Sequence, residues 1–298
     1  MSQNHSEHDE ITKNLHVFYI KYDLLDSGLG QVTDKFNDEL FEDIPDFAFG
    51  ADIAIDKLQN EGLVPTVREA MKMLYSIPEI VEGRSEYLDS DNTEDKYIKR
   101  GEFGELLLYH LLHEYFDADS LISKIYFKDS RSIPAHGFDA VHVDEGTKTL
   151  WLGESKIYKS GSLAIDALSG DLVDHFNTDF FNSEFTIITN RIRDGKTNQS
   201  DWIKKLVSPN TKTLDKLASV NIALFAAFNS GSIHNYNKNT FQDQIDEEAK
   251  RLENRLKEKN KNHAWKNNLN IYLFLFPLED KREFVSKLHQ KLKGAQQI

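Results

Sequence analysis

The pattern of hydrophobic and polar positions predicts an ordered series of strands and helices. Short β-branched and aromatic runs predict strands, and apolar residues recurring every three or four positions predict helices. The predicted strands are LHVFYIKY (15–22), LISKIYF (121–127), FDAVHV (138–143), TLWLGESKIY (149–158), FTIITNRI (185–192), NIALFAAF (221–228) and NIYLFLFPL (270–278). The predicted helices are VPTVREAMKMLYSI (64–77), YIKRGEFGELLLYHLLHEYF (97–116), SLAIDALSGDLVDHF (162–176), FQDQIDEEAKRLENRLKEK (241–259) and the tail from Lys281. This order predicts an α/β fold, in the form of an α+β mixed sheet flanked by helices.

Length and charge divide the chain into two predicted domains. At 298 residues it exceeds the usual size of a single domain. Residues 82–96, EGRSEYLDSDNTEDK, contain few apolar residues and many turn formers, which indicates a linker. Residues 1–97 carry 8 Lys and Arg against 22 Asp and Glu, whereas residues 190–298 carry 20 against 12. We therefore predict an acidic N-terminal domain at 1–90, with a regulatory or partner-docking role, and a main domain at 97–298.

Composition excludes several classes of chemistry. The chain has no cysteine, which excludes disulfides, a thiolate zinc site and a cysteine nucleophile. No apolar run approaches the roughly 20 residues that span a bilayer, and the start MSQNHSEHDE lacks the features of a signal peptide. We therefore expect a soluble cytoplasmic protein without a membrane partner. A glycine-rich phosphate loop and an HExxH motif are both absent from the sequence, so no ATP site is expected.

One predicted strand carries opposite charges where apolar residues are expected. In LWLGESK, alternation places Glu154 and Lys156 on one face of the strand, together with Leu150 and Leu152. A two-residue hairpin loop at Glu145-Gly146 would set Asp139 of the preceding strand on that same face, opposite Leu152. A three-residue loop would place Asp139 on the other face. The clustering of the two carboxylates therefore depends on the turn.

Two neighbouring carboxylates repel each other unless a proton or a cation lies between them. Oxygen ligands without cysteine favour a hard ion, Mg²⁺ or Mn²⁺. A lysine beside such an ion suggests phosphodiester hydrolysis, with Lys156 as a charged group that orients the attacking water rather than as a base. The spacing alone proves little, because Glu-x-Lys occurs four times in the chain and is usually a surface ion pair. Only the copy at Glu154 follows an apolar strand with an aspartate on the strand before it.

At these residues the chain resembles the PD-(D/E)XK nuclease superfamily over roughly residues 97–190. Phe138 stands where the full motif has a proline. The segments RGEFGELLLYHLL, HGFDAVHV and LWLGESKIY, behind an acidic N-terminal region, further resemble the HamA family of the Hachiman antiphage defence system. The resemblance implies a restriction-endonuclease-like core and a Mg²⁺-dependent deoxyribonuclease restrained by a partner helicase, HamB.

The resemblance also assigns roles to residues. Asp139, Glu154 and Lys156 would be catalytic, and Asp139 and Glu154 would bind the metal. A glutamate on the preceding helix, Glu105 or Glu102, would join them, and Gly104 favours Glu105. The nearby pair His110 and His113 is more typical of packed histidines than of metal ligands.

DNA is the expected partner and substrate, with RNA as the alternative. The predicted nucleic-acid contacts are Lys159, Lys250, Arg251, Arg255, Lys257 and Lys259. For the five residues from Lys250 to Lys259, a solvated helix face is an equally good interpretation, and for Lys159 a solvated loop lysine is at least as good. A second hypothesis of another class is a non-catalytic adaptor that keeps the nuclease fold to bind protein or nucleic acid.

Overall fold

The computed structural model describes residues 5–20, 29–74, 102–122, 137–194 and 200–297. Their strands form one mixed seven-stranded sheet in the order β1-β2-β7-β6-β5-β4-β3. The strands are β1 (Ser6–Thr12), β2 (Leu15–Ile20), β3 (Asp119–Ser120), β4 (Ala140–Asp144), β5 (Thr149–Tyr158), β6 (Val220–Asn229) and β7 (Asn270–Leu278). β2, β7, β6 and β5 run parallel to one another, and β1, β4 and β3 pair antiparallel. The predicted mixed sheet is confirmed.

Helices cover both faces of this sheet. In chain order they are α1 (Leu29–Glu42), α2 (Ile44–Phe49), α3 (Ala51–Glu61), α4 (Leu63–Leu74), α5 (Glu102–Phe116), α6 (Gly161–His175), α7 (Thr178–Asp194), α8 (Asp201–Val207), α9 (Thr213–Leu217), α10 (Gly231–His234), α11 (Phe241–Lys259) and α12 (Lys281–Gln297). Side chains of α6, α7, α8 and α11 pack in one core cluster, and those of α1, α2, α4, α5 and α12 pack in a second cluster on the opposite face. The molecule therefore has an α/β/α arrangement of layers.

Alternation along β5 sends its side chains into these two clusters as predicted. Leu150 and Leu152 belong to the cluster that contains α6, whereas Trp151 belongs to the cluster that contains α5. Gly153 faces α5 closely, since a Cβ at this position would lie 2.6 Å from Leu108 Cδ2. The sheet therefore separates α5 from α6, and the site residues of β5 project toward one helix or the other.

The predicted strand FTIITNRI is wrong, because these residues lie within helix α7. Its buried residues, Phe181, Phe185 and Ile188, recur at helical spacing. Two threonines fit the helix by donating their hydroxyls to carbonyls four residues back, Thr186 to Asn182 at 2.8 Å and Thr189 to Phe185 at 2.6 Å. The β-branched run therefore gives a helix, because the periodicity extends toward the N-terminus beyond the run itself.

The N-terminal strands belong to the same sheet as the later ones. β2 pairs with β7 parallel, and β1, which the sequence did not predict, is the polar edge strand beside β2. The proposed domain boundary, between residues 90 and 97, lies outside the described residues, so the division into two domains stays a prediction. The predicted strand LISKIYF also lies largely outside them, and only its first two residues, Leu121 and Ile122, are described.

The hairpin between β4 and β5 has a four-residue loop, so the predicted two-residue turn is wrong. Asp144 pairs with Thr149, which leaves residues 145–148 as the loop. The carboxylate of Asp144 closes it by accepting a hydrogen bond from Thr147 N at 2.9 Å. Because the loop is longer by two residues, the pairing shifts without changing which side chains share a face.

Candidate active site

The register of the hairpin brings Asp139 beside the charged end of β5. Ala140 pairs with Gly153, and Asp139 N donates to Gly153 O at 2.9 Å. The ladder ends at Ala140, and the bond from Asp139 N departs from its register, so Asp139 lies just before β4. Leu152 pairs with Val141, so the predicted placement of Asp139 opposite Leu152 is wrong. Asp139 is near enough for its charge to raise the pKa of Glu154. The predicted shared face of these two carboxylates stays a prediction.

The carboxylate of Asp139 is held by the residue between Glu154 and Lys156. Its Oδ2 accepts hydrogen bonds from Ser155 N at 2.9 Å and from Ser155 Oγ at 2.8 Å. Ser155 is buried, so these bonds are shielded from water. The motif of β5 therefore fixes the aspartate of the neighbouring strand as well as carrying its own two charges.

Two residues of α6 that the sequence analysis did not select contact the same motif. Lys156 Nζ lies 2.6 Å from Asp171 Oδ2, and His175 Nδ1 lies 2.5 Å from Glu154 Oε1. Asp171 and His175 are four residues apart, so they share one face of the helix. Their turn also presents the buried residues Leu168 and Leu172, which pack against the sheet. The signal for them in the sequence is a pair of polar residues, four positions apart, beside the apolar residues of the same helix.

Burial and neighbouring charges set the protonation of Glu154. Only 3% of this residue is exposed. Burial raises the pKa of its carboxyl to about 7, the hydrogen bond from His175 opposes that rise, and the charges of Asp139 and Asp171 add to it. The carboxylate therefore lies in a setting where a nearby cation would favour its charged form.

Lys156 remains a cation in this site. Burial lowers the pKa of its ammonium, but the hydrogen bond and charge of Asp171, together with the charges of Asp139 and Glu154, outweigh burial and leave the pKa above its ordinary value. Lys156 is therefore charged at neutral pH, which agrees with its predicted role as an orienting cation and not a base.

The imidazole of His175 is held between aromatic rings. It stacks on Phe180 with ring centroids 4.3 Å apart and meets Phe138 edge-on at 5.9 Å. Burial lowers its pKa, but the hydrogen bond and charge of Glu154 outweigh burial and raise it. A second buried carboxyl, Glu184 of α7, lies near enough for the charge of His175 to act on it, and burial raises the pKa of Glu184 to about 7. The ring that contacts Glu154 therefore has a fixed orientation.

The predicted metal-binding helix lies on the other face of the sheet. Gly104 of α5 packs on β5, where an added Cβ would lie 3.0 Å from Ser155 Oγ. Glu105 follows it and is partly buried. Glu102 is the first residue of α5, and its side chain lies outside the described part of the chain. Which glutamate joins the site stays a prediction. His110 is buried and its Nδ1 lies 2.7 Å from Asp43 Oδ2, which confirms it as a packed histidine.

The predicted nucleic-acid contacts on α11 are paired with acidic residues of the chain. The ion pairs are Lys250 with Asp246, Arg251 with Glu248, Arg255 with Asp166, Lys257 with Glu253 and Lys259 with Asp166. Arg255 binds Asp166 of α6 through two hydrogen bonds, of 2.8 and 2.6 Å, and so links α11 to α6. Lys159 is exposed just after β5. The roles of these residues toward nucleic acid stay predictions.

The donor set of the site fits a hard divalent cation. Asp139 and Glu154 supply carboxylate oxygens, the ligands that Mg²⁺ and Mn²⁺ prefer. Burial raises the pKa of Glu154 even with His175 beside it, so a further cation at this point would stabilise the charged carboxylate. In the described ranges, no three His, Asp or Glu side chains form a ready-made metal site. Asp139 and Glu154 would therefore hold such an ion together with groups beyond the two of them.

The mixed seven-stranded sheet with helices on both faces is consistent with a protein of α+β nuclease-like fold. A family model described as HamA matches residues 1–292. The chain therefore belongs to the HamA family, which supports its assignment as a Hachiman antiphage defence protein. Comparison with curated proteins gives no match. Within the described residues, no helix is long and apolar enough to cross a membrane.

Proposed function

We propose that this chain is a metal-dependent nuclease that hydrolyses phosphodiester bonds of DNA as the effector of an antiphage defence complex. The observation that carries the proposal is the grouping of Asp139, Glu154 and Lys156 at one point of the sheet. Asp139 is tied to Ser155, between the other two, and its charge raises the pKa of Glu154. Two carboxylates and a lysine are the groups that this reaction requires.

The charge of each residue determines its proposed role. Asp139 and Glu154 would hold Mg²⁺ or Mn²⁺ through their carboxylate oxygens. The chemistry that such an ion would supply there is Lewis-acid polarisation of the scissile phosphate and a lower pKa for a water molecule. Lys156 donates hydrogen bonds that orient the attacking water, and its charge offsets the negative charge that develops on the phosphate. Partial burial strengthens this electrostatic contribution because less water screens it.

The partner helicase HamB is proposed from family membership, and the acidic front segment is the region we propose that it contacts. Residues 1–97 carry 8 Lys and Arg against 22 Asp and Glu. Such a segment repels DNA only within about a Debye length, roughly 8 Å at physiological salt. In this proposal the front segment restrains the nuclease near the site and binds a basic surface of the partner.

The test is a cleavage assay on the full chain with plasmid DNA, linear DNA, single-stranded DNA and RNA, in Mg²⁺, Mn²⁺ or EDTA, with and without the helicase. We expect metal-dependent cleavage that Glu154→Gln and Lys156→Ala abolish. The matched control is Glu283→Gln, which removes the same charge from an exposed ion pair with Lys287 on α12. Cleavage that survives both site variants would refute the assignment.

The adaptor hypothesis makes the opposite prediction. It expects nucleic-acid or helicase binding without cleavage in either metal, even with the helicase present. The charged state of Lys156 and the buried acid beside it favour the nuclease. A non-catalytic fold would gain stability by replacing such charges with apolar residues, since burying them is costly.

A further inference from the structure

An aspartate and a histidine on α6 contact the two charged residues of the Glu-x-Lys motif. We propose that Asp171 and His175 are positioning residues of the site, Asp171 for Lys156 and His175 for Glu154. This inference rests on the proposed nuclease function and concerns how its reacting groups are held in place.

The spacing of the two elements allows both contacts to form at once. Glu154 and Lys156 are two residues apart on β5, a separation of about 6.6 Å along the strand. Asp171 and His175 are four residues apart on α6, a rise of about 6 Å along the helix. Lys156, the later residue on β5, contacts Asp171, the earlier residue on α6. Glu154 correspondingly contacts His175. This order is expected when the helix runs antiparallel to the strand that it follows.

Lys156 would have other anions to bind if Asp171 were absent. Asp139 and Glu154 both act on its charge. A lysine drawn onto either carboxylate would occupy the oxygens that we assign to the metal. Asp171, 2.6 Å from Lys156 Nζ, provides a separate anion and so keeps the lysine beside the metal ligands without neutralising them.

His175 acts on the other member of the motif. Its Nδ1 engages Oε1 of Glu154, which fixes the rotation of that carboxylate. The imidazole is itself fixed by Phe180 and Phe138. Groups that orient a metal-binding carboxylate in this way typically change metal affinity or activity 10–100-fold when mutated.

The helix that carries both residues is firmly anchored. Gly161 at its start packs where an added Cβ would lie 3.0 Å from Leu252 Cδ1 and 3.1 Å from Phe228 Cδ2. Five residues before Asp171, Asp166 is bound by Arg255 of α11. A rigid support of this kind is what positioning requires, because a loose helix would transmit its own motion to the site.

Substitution of Asp171 should lower kcat, whereas substitution of His175 should lower metal affinity. We expect Asp171→Asn to lower kcat about 10–100-fold while Mn²⁺ affinity, measured without DNA by electron paramagnetic resonance, changes less than about twofold. We expect His175→Gln to weaken that Mn²⁺ affinity about 10–100-fold. Asp171→Glu, which restores a carboxylate, should recover part of the lost kcat.

The matched control is Asp174→Asn, which removes one charge from an exposed position of the same helix. It should leave kcat, Mn²⁺ affinity and Tm unchanged. Unchanged kcat in Asp171→Asn and unchanged Mn²⁺ affinity in His175→Gln, with cleavage lost in Glu154→Gln, would overturn the positioning roles alone. A higher kcat in Asp171→Asn would also overturn them, because the contact would then restrain the lysine. A natural chain that cleaves nothing would refute the nuclease, while the Mn²⁺ measurement would still decide the role of His175.

Discussion

Asp139 and Ser155 are joined by two hydrogen bonds, from the backbone N of Ser155 at 2.9 Å and from its hydroxyl at 2.8 Å, both to Oδ2 of the aspartate. The middle residue of Glu-x-Lys is therefore not a spacer. Because it binds the aspartate of the neighbouring strand, β5 controls the placement of all three proposed catalytic residues.

Ser155→Ala should weaken the site without abolishing it. The substitution removes the hydroxyl donor but keeps the backbone donor, so we expect Mn²⁺ affinity to fall severalfold and the free energy of unfolding to fall by about 1 kcal/mol. Calorimetric metal titration and urea unfolding measure these changes. Ser183→Ala, at an exposed position of α7, is the control. An effect as large as that of Asp139→Asn would show that the hydroxyl, not the backbone, holds the carboxylate.

Gly104→Ala should disturb the site through the same serine. Its Cβ would meet Ser155 Oγ at 3.0 Å and Ile157 Cγ1 at 3.3 Å, both closer than ordinary contact. We expect lower stability and weaker Mn²⁺ binding, because the serine must shift away from its place beside Asp139. Gly170→Ala is the matched control, since no atom lies within 4 Å of the added Cβ. That variant should gain about 0.5–1 kcal/mol from helix propensity alone.

Stability should fall in weak acid because of His142. Burial lowers the pKa of this imidazole to about 4, and its Nδ1 lies 2.8 Å from Ala118 O. Between pH 6.5 and 4 the unfolded chain binds this proton and the folded chain does not, so the free energy of unfolding falls as the pH falls, by about 3 kcal/mol in all. In His142→Asn this contribution should disappear. Equal slopes for the two proteins in unfolding measurements from pH 7 to 4.5 would contradict it.

DNA affinity should fall steeply with salt, because binding releases counterions from the phosphates. If Lys159, Lys250 and Lys257 contact phosphates, each alanine variant should reduce the slope of log affinity against log salt by about one at unchanged Tm. Arg255→Ala should instead lower Tm, because it removes the two hydrogen bonds by which Arg255 links α11 to Asp166 of α6. Unaltered slopes in the variants at Lys250 and Lys257 would show that α11 presents a solvated face, and an unaltered slope at Lys159 would exclude that residue as a phosphate contact.

Helicase binding should depend on the acidic front segment and must be tested in the full chain. Phe18 and Phe36 share a core cluster with Phe274 and Phe284, so cutting the chain near residue 97 would expose apolar surface of both parts. We expect neutralisation of three exposed acids of α3, Asp52, Asp56 and Glu61, to weaken capture of the helicase. The control is the same change at Asp201, Asp215 and Glu258, which are exposed in the later part. Equal loss in both sets would argue against a front docking surface.

The sequence by itself determined the elements whose patterns are local and strong. The bounds of β5, α11 and β7 agree with those predicted, and so does the face on which Glu154 and Lys156 project. Alternation along a strand is set by the geometry of one backbone, so it holds whatever packs around it. The wrong turn did not affect it, because alternation within β5 does not depend on the loop before the strand.

Only the tertiary structure decided which elements meet. The polar edge strand β1 is a strand because β2 lies beside it, and residues 185–192 form a helix because an apolar stripe starting before them packs against the core. Asp171 and His175 lie in an ordinary helical pattern, and nothing in that pattern says which strand the helix covers. Their contacts with Lys156 and Glu154 arise because α6 folds back across β5, a long-range placement that depends on the packing of the whole sheet and not on the residues nearby.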